Sequence, residues 1–174
     1  MEYALILCFD DPSENFFSAI ISDIAHQLGK SHMLPDRFPP HITLSLVKSQ
    51  NFQDIVHLFD EHINAFTAGD VTWASLGTFV PHVLFAAPIL NEYLLEMCTQ
   101  ANELLEHLPQ CKRNAYYLPY QWVPHTTLAE HLTVDELQSC FALASSKFSA
   151  ISGRANRLIL AECAAYKEII SWQL

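Results

Sequence analysis

The sequence predicts an α+β fold of two pseudo-symmetric lobes, with mostly antiparallel sheets and outer helices around a central cleft. Three observations predict it. Short β-prone runs alternate with amphipathic stretches in the order β-α-β-α-β-β-α-β-α-β-β. A seven-residue phrase occurs twice, as Phe38-Pro39-Pro40-His41-Ile42-Thr43-Leu44 and as Trp122-Val123-Pro124-His125-Thr126-Thr127-Leu128, 84 positions apart. Split near residue 80, the chain then reads as two copies of one unit, each with its phrase between two helices. No linker or low-complexity tract separates the halves, so residues 1–174 are expected to form one domain of two intertwined lobes.

Each element has a local cause. Tyr3 to Phe9 is an apolar, β-prone run. Asp11-Pro12-Ser13-Glu14 predicts a helix start, with Asp11 as N-cap and proline at the first helical position. Phe16, Phe17, Ile20, Ile21, Ile24 and Leu28 keep helical spacing, and Gly29 ends the segment. A proline-rich loop leads into a strand from His41 to Val47. Asn51 opens a helix with the stripe Phe52, Ile55, Val56, Phe59, Ile63 and Phe66, and Gly69-Asp70 reads as a turn. Val71 to Val80 and Val83 to Ala87 form a hairpin at Pro81-His82. Leu94, Met97, Cys98, Ala101, Leu104, Leu105 and Leu108 mark the third helix. A polar loop precedes the second phrase, Thr133-Val134-Asp135-Glu136 is a capping box for the fourth helix, and Leu158 to Tyr166 and Ile169 to Leu174 are strands.

The repeated phrase carries the chemistry. In a strand, residues i and i+2 share a face. Each copy therefore presents a histidine beside a threonine hydroxyl, His41 with Thr43 and His125 with Thr127. Breaking a phosphodiester by in-line displacement needs a base on one side of phosphorus and an acid on the other, and two imidazoles supply both near neutral pH. Two hydroxyls donate to the non-bridging oxygens. Taken singly, either histidine reads as an ordinary strand residue beside a β-prone threonine. The pair, with matching neighbours, favours catalysis. If the lobes are related by a pseudo-twofold, the phrases face each other across the cleft.

Composition narrows the alternatives. The net charge is −10 with only nine Lys and Arg, which argues against a long nucleic-acid groove. The apolar runs are too short and too closely flanked by acids for a signal or a membrane span. Five cysteines, odd in number and without close pairing along the chain, point to a reducing, cytoplasmic setting. Nine histidines raise a metal reading, but there is no Cys-x-x-Cys and no His-x-x-x-His pair within a predicted helix, so no metal or cofactor is expected. His131 is expected to be a solvated turn residue. No Gly-x-Ser-x-Gly elbow or glycine-rich phosphate loop is present. Phe38, Tyr117 and Trp122, with Tyr116 and Tyr120, crowd the two phrases; such rings either stack on a base or fill the core beneath a loop. Phe38, Tyr117 and Trp122 are taken as candidate substrate contacts.

Paired His-x-Thr motifs, each preceded by proline and followed by leucine, resemble those of the 2H phosphoesterase superfamily, and in particular its bacterial 2′-5′ RNA ligase-like branch. The likeness extends to the N-terminal strand and helix, to Val83-Leu84-Phe85-Ala86-Ala87-Pro88 before a long helix, and to the helix-strand ending after His125. The resemblance implies a bilobal fold with a central cleft and metal-independent chemistry on 2′,3′-cyclic or 2′-5′ phosphodiesters. By motif match, His41 and His125 would carry the acid-base roles and Thr43 and Thr127 would orient phosphate. Relatives often carry an arginine soon after the second motif, whereas this chain reads Leu128-Ala129-Glu130-His131. Glu130 and the acidic charge favour a small cyclic phosphate or an RNA terminus as partner over long RNA. The expectation is a monomeric cytoplasmic cyclic phosphodiesterase. A 2′-5′ RNA ligase acting on RNA ends and a non-catalytic nucleotide or RNA-end binding module are the alternatives.

Overall fold

The computed structural model describes residues 1–30, 39–164 and 167–174. Strand β1 (Glu2–Phe9) is buried from Tyr3 to Phe9 because it is covered on both faces. Tyr3, Leu5, Leu7 and Phe9 join the main core, while Ala4, Ile6 and Cys8 form a second cluster with Ile159 and Ala161. That explains a continuous apolar run where alternation would be expected of a strand with one wet face.

Helix α1 (Asp11–Leu28) is capped by Asp10, whose carboxylate accepts the Ser13 N–H at 3.1 Å. The cap lies one residue earlier than the sequence predicts, because Asp10 is also held by the backbone of Arg154 in both directions. Gly29 closes the helix at φ 66°, the left-handed conformation that glycine adopts without strain. Strand β2 (His41–Lys48) and helix α2 (Phe52–His62), capped by Asn51, follow, with one 3-10 turn at Ile63–Ala65. Strand β3 (Gly69–Phe79) begins where a turn was expected. Gly69 is there for space: a Cβ would overlap the Tyr93 ring. Next come β4 (Val83–Pro88), α3 (Glu92–Glu106), the unforeseen two-residue β5 (Lys112–Arg113) and β6 (Thr126–Ala129). Helix α4 (Val134–Lys147), with its Thr133–Glu136 capping box, precedes β7 (Ile151–Glu162) and β8 (Lys167–Gln173).

The strands form one eight-stranded sheet in the order β5-β2-β1-β7-β3-β4-β6, with β8 also on β7, and every pairing is antiparallel. Apart from β5 and β8 the order is a palindrome: β2-β1-β7 from one side, β6-β4-β3 from the other. β3 and β7 pair with each other at the centre. Among the described residues all four α-helices feed the same core, through Phe17, Ile20 and Ile24 of α1, Ile55 and Phe59 of α2, Leu94 and Met97 of α3, and Cys140 and Ala144 of α4. The sheet curls until β2 and β6, far apart in strand order, lie beside each other. At the centre Trp73 packs edge-on to Phe9 and Phe17, with ring centroids 4.7 and 4.9 Å away, and its indole N–H donates to Thr126 Oγ1 at 3.0 Å. Among the described residues no helix is long and apolar enough to cross a membrane.

A buried polar side chain fixes β2 against α3. The Asn102 amide donates to the carbonyls of Cys98 at 2.9 Å, Tyr117 at 3.0 Å and Leu44 at 3.3 Å, while its oxygen accepts from Ser45 Oγ at 3.2 Å. Asn102 is 1% exposed, so water cannot replace these bonds. Asn102→Ala is expected to cost about 2–3 kcal/mol, because it strands buried carbonyls and a hydroxyl. A urea denaturation midpoint unchanged from wild type would contradict that account.

Candidate functional site

Both motifs fold alike. His41 opens β2, and His125 stands immediately before β6 rather than inside it, as the sequence had predicted. The alternation survives this difference: His41 and Thr43 are half-buried while Ile42 and Leu44 are buried, and His125 and Thr127 are half-buried while Thr126 and Leu128 are buried. In each motif the ring turns back on its own backbone. His41 Nδ1 bonds to the Pro39 carbonyl and His125 Nδ1 to the Val123 carbonyl, both at 2.8 Å. The intervening proline (Pro40 or Pro124) fixes one dihedral of this short loop. A carbonyl only accepts, so in each neutral ring Nδ1 holds the proton and Nε2 carries the lone pair.

The two motifs meet. Trp122 is 7% exposed, and its indole N–H donates to the Thr43 carbonyl at 2.9 Å, joining the approach to β6 directly to β2. Burial pushes the His41 imidazolium down to about 4; the bond to Pro39 opposes this in part, and the nearby His125 lowers it further. His125 is also lowered by burial, against its bond to Val123. Both rings are thus neutral at pH 7, and a charge on one is felt by the other. Two imidazoles beside two hydroxyls can take a proton at one point, deliver one at another and hold an oxyanion between them.

The remaining candidates scatter. Phe38 lies outside the described residues. Tyr117 sits in the 3-10 turn Ala115–Tyr117, where its carbonyl serves Asn102. Burial, with Cys163 and Glu2 nearby, raises its phenol pKa. That environment lies at the end of β1 remote from Cys8, the register partner of His41. His131 is exposed at φ 53° and faces Glu130 across 3.7 Å. Two residues not singled out in the sequence join the site. Phe79 and Phe85 pack against the His125 ring at centroid distances of 4.9 and 5.4 Å. The one local signal for them was Gly77 within a strand, since glycine there marks a close approach. Arg157 stands one strand beyond Cys8 in the row that starts at His41, paired with Glu14 at 2.5 Å.

Comparison with known proteins identifies the family and the fold. The profile described as the 2′-5′ RNA ligase superfamily matches residues 9–165. No curated protein matches the chain by sequence. Among solved structures, the chain resembles a phosphoesterase (TM-score 0.56, 13% identity, covering 99% of this chain and 97% of that one). It also resembles Escherichia coli LigT complexed with 3′-AMP (TM-score 0.55, 15% identity, 99% and 97% covered). A third similar structure is Kluyveromyces marxianus Usb1 (TM-score 0.50, 14% identity, 99% and 98% covered). At these identities the likeness is one of fold.

The lowered histidines make stability depend on pH. Unfolded, each ring takes up a proton below about 6.5, whereas folded His41 stays neutral down to about 4. Between those values the unfolded chain binds more protons, so stability is complete above pH 6.5 and falls as pH drops towards 4. His41→Asn is expected to flatten that slope in denaturation curves measured from pH 7 to 4.5; an unaltered slope would refute the linkage.

Proposed function

The chain belongs to the 2′-5′ RNA ligase superfamily, and from that membership we propose that it is a cyclic phosphodiesterase, opening 2′,3′-cyclic or similarly strained cyclic ribose phosphates to monoesters. The observation that carries the reading is the matched pair of histidines, each with Nδ1 tied to its own backbone, and His41 within electrostatic reach of His125. One Nε2 takes the proton of the attacking water while the other protonates the departing ribose oxygen. Thr43 and Thr127 donate to the non-bridging oxygens, where charge accumulates. A phosphate bound between the rings raises their proton affinity, so the substrate itself favours charging the ring that must act as acid. Proton transfer and charge stabilisation are both supplied by side chains, so no metal is called for.

Two further observations support a small substrate. The 3′-AMP in the E. coli LigT structure has the form of a ring-opened 2′,3′-cyclic phosphate. The net charge of −10, with Glu130 just after the second motif, disfavours a long polyanion. Ligation of RNA ends would use the same displacement, with an RNA hydroxyl in place of water. In this reading the chain works alone as one domain in the reducing cytoplasm, which keeps its five thiols unbridged.

The test is hydrolysis of nucleoside 2′,3′-cyclic monophosphates. His41→Ala and His125→Ala are each expected to lower turnover by about 10²–10⁴-fold, the range of acid-base groups. Thr43→Val and Thr127→Val should each cost on the order of 10²-fold, as loss of one oxyanion donor does. EDTA should leave the wild-type rate unchanged. Histidine variants as active as wild type would reject the assignment.

A further inference from the structure

Each motif runs into a β-bulge directly after its threonine. On β2, Thr43 pairs with Ile6 and Ser45 with Leu5, so Leu44 falls between them with no register partner on β1. On β6, Thr127 pairs with Phe85 and Ala129 with Leu84, which leaves Leu128 in the same position. Two successive side chains then turn to the helix side: Leu44 joins the main core and Ser45 meets α3, while Leu128 and Ala129 both join that core. A strand that kept the pairings beyond the bulge but lacked the extra residue would turn its histidine and threonine to the opposite face. The bulge is what aims each motif away from the core.

The two bulges are held differently. Asn102, on α3, grips both members of the first: its amide donates to the Leu44 carbonyl at 3.3 Å, and its oxygen accepts from Ser45 Oγ at 3.2 Å. The Cys98 thiol, one turn earlier, donates to the same carbonyl at 3.7 Å. Both side chains also reach the Tyr117 carbonyl, at 3.0 Å from Asn102 and 3.6 Å from Cys98. From Tyr117 the chain runs to Trp122, whose indole holds the carbonyl of Thr43. At the second bulge the counterpart of Ser45 is Ala129, whose methyl group can make no such bond.

We propose that Asn102, acting through the Leu44 bulge, is a positioning residue for the reaction: it fixes where His41 and Thr43 stand against the second motif. This rests on the cyclic phosphodiesterase reading above. Asn102 is 1% exposed, so its effect passes through the backbone of β2. A bulged residue has left the ladder, and its carbonyl needs another donor when it is buried. Asn102 supplies that donor and holds the neighbouring hydroxyl as well, which keeps the extra residue at Leu44. A bulge that slid by one position would change the face of Thr43. Through the Tyr117 carbonyl the same side chain ties this bulge to the segment that delivers the second motif.

Two measurements test this on wild type, Asn102→Ala, Ser45→Ala, their double variant and Phe59→Leu, each below its melting temperature. Phe59 packs on Phe66 and Trp172, so Phe59→Leu loosens the core without touching the bulge. The first measurement is turnover of nucleoside 2′,3′-cyclic monophosphates. Ser45→Ala should lower kcat about 10-fold and Asn102→Ala about 10²-fold, with KM within about threefold of wild type, as a small misplacement of reacting groups does. The double variant should be no slower than Asn102→Ala, because both side chains act through one bulge. Phe59→Leu should keep the wild-type kcat. The second is the proton–nitrogen correlation spectrum of the histidine rings. The His41 signals should move in both Asn102→Ala and Ser45→Ala, by more than those of His125, and stay in place in Phe59→Leu. Additive losses in the double variant, an equal loss in Phe59→Leu, or unmoved His41 signals overturn the assignment. If Asn102→Ala does not fold, Ser45→Ala against Phe59→Leu decides by the same kcat and ring signals. A wild-type protein inert on the cyclic phosphates ends the hydrolase reading, while the ring spectra still decide whether Asn102 positions His41.

Discussion

A strand has two edges, and β7 must serve three partners with them. β1 occupies one edge over Ala155 to Glu162; on the other, β3 pairs as far as Ala155 and β8 takes over from Arg157. Between them the Asn156 carbonyl receives the N–H of Leu174 and the amide of Gln173, which closes the gap left where β3 departs. Gly153 lacks a side chain because Ser13 and Asp10, at the start of α1, occupy the space of a Cβ. This crowded crossing makes the strand order palindromic, and the palindrome puts β2 and β6 at matching outer positions. Curling the sheet about β3 and β7 then brings the two motifs to one place.

Once the motifs have met, a few local bonds define what they offer. The backward bond from Nδ1 to the carbonyl two residues earlier fixes the tautomer of each ring. Trp122 fixes the spacing, since its indole N–H reaches the Thr43 carbonyl from the other motif. Burial lowers the proton affinity of both rings, and the nearby His125 lowers that of His41 further.

Local patterns were legible in the sequence. The Asn51 cap, the Thr133–Glu136 capping box and the stripe of α3 are set by neighbours within one turn, and each stands where its residues predicted. The His-x-Thr phrases revealed their shared face because strand alternation needs no tertiary knowledge. What escaped was set at a distance. The α1 cap moved to Asp10 because of Arg154, far along the chain. Gly69 looked like a turn but answers to Tyr93. Phe79 and Phe85 belong to no motif, and only the pairing of β4 with β6 carries them to His125. β5 is two residues long and has no periodicity to read. The family, by contrast, was readable from the two phrases alone, and the match over residues 9–165 extends it to nearly the whole chain.

The burial of β1 on both faces has a consequence for how the protein comes to be made. Tyr3 pairs with Glu162 and Phe9 with Ala155, so β1, synthesised well before β7, waits for that distant strand to complete its pairing. During that interval a continuous apolar segment with an open edge is a template for intermolecular pairing. Folding dominated by such distant partners is slow for its size. Yield in a cell would thus be limited less by the finished fold than by the shielding of this segment during translation.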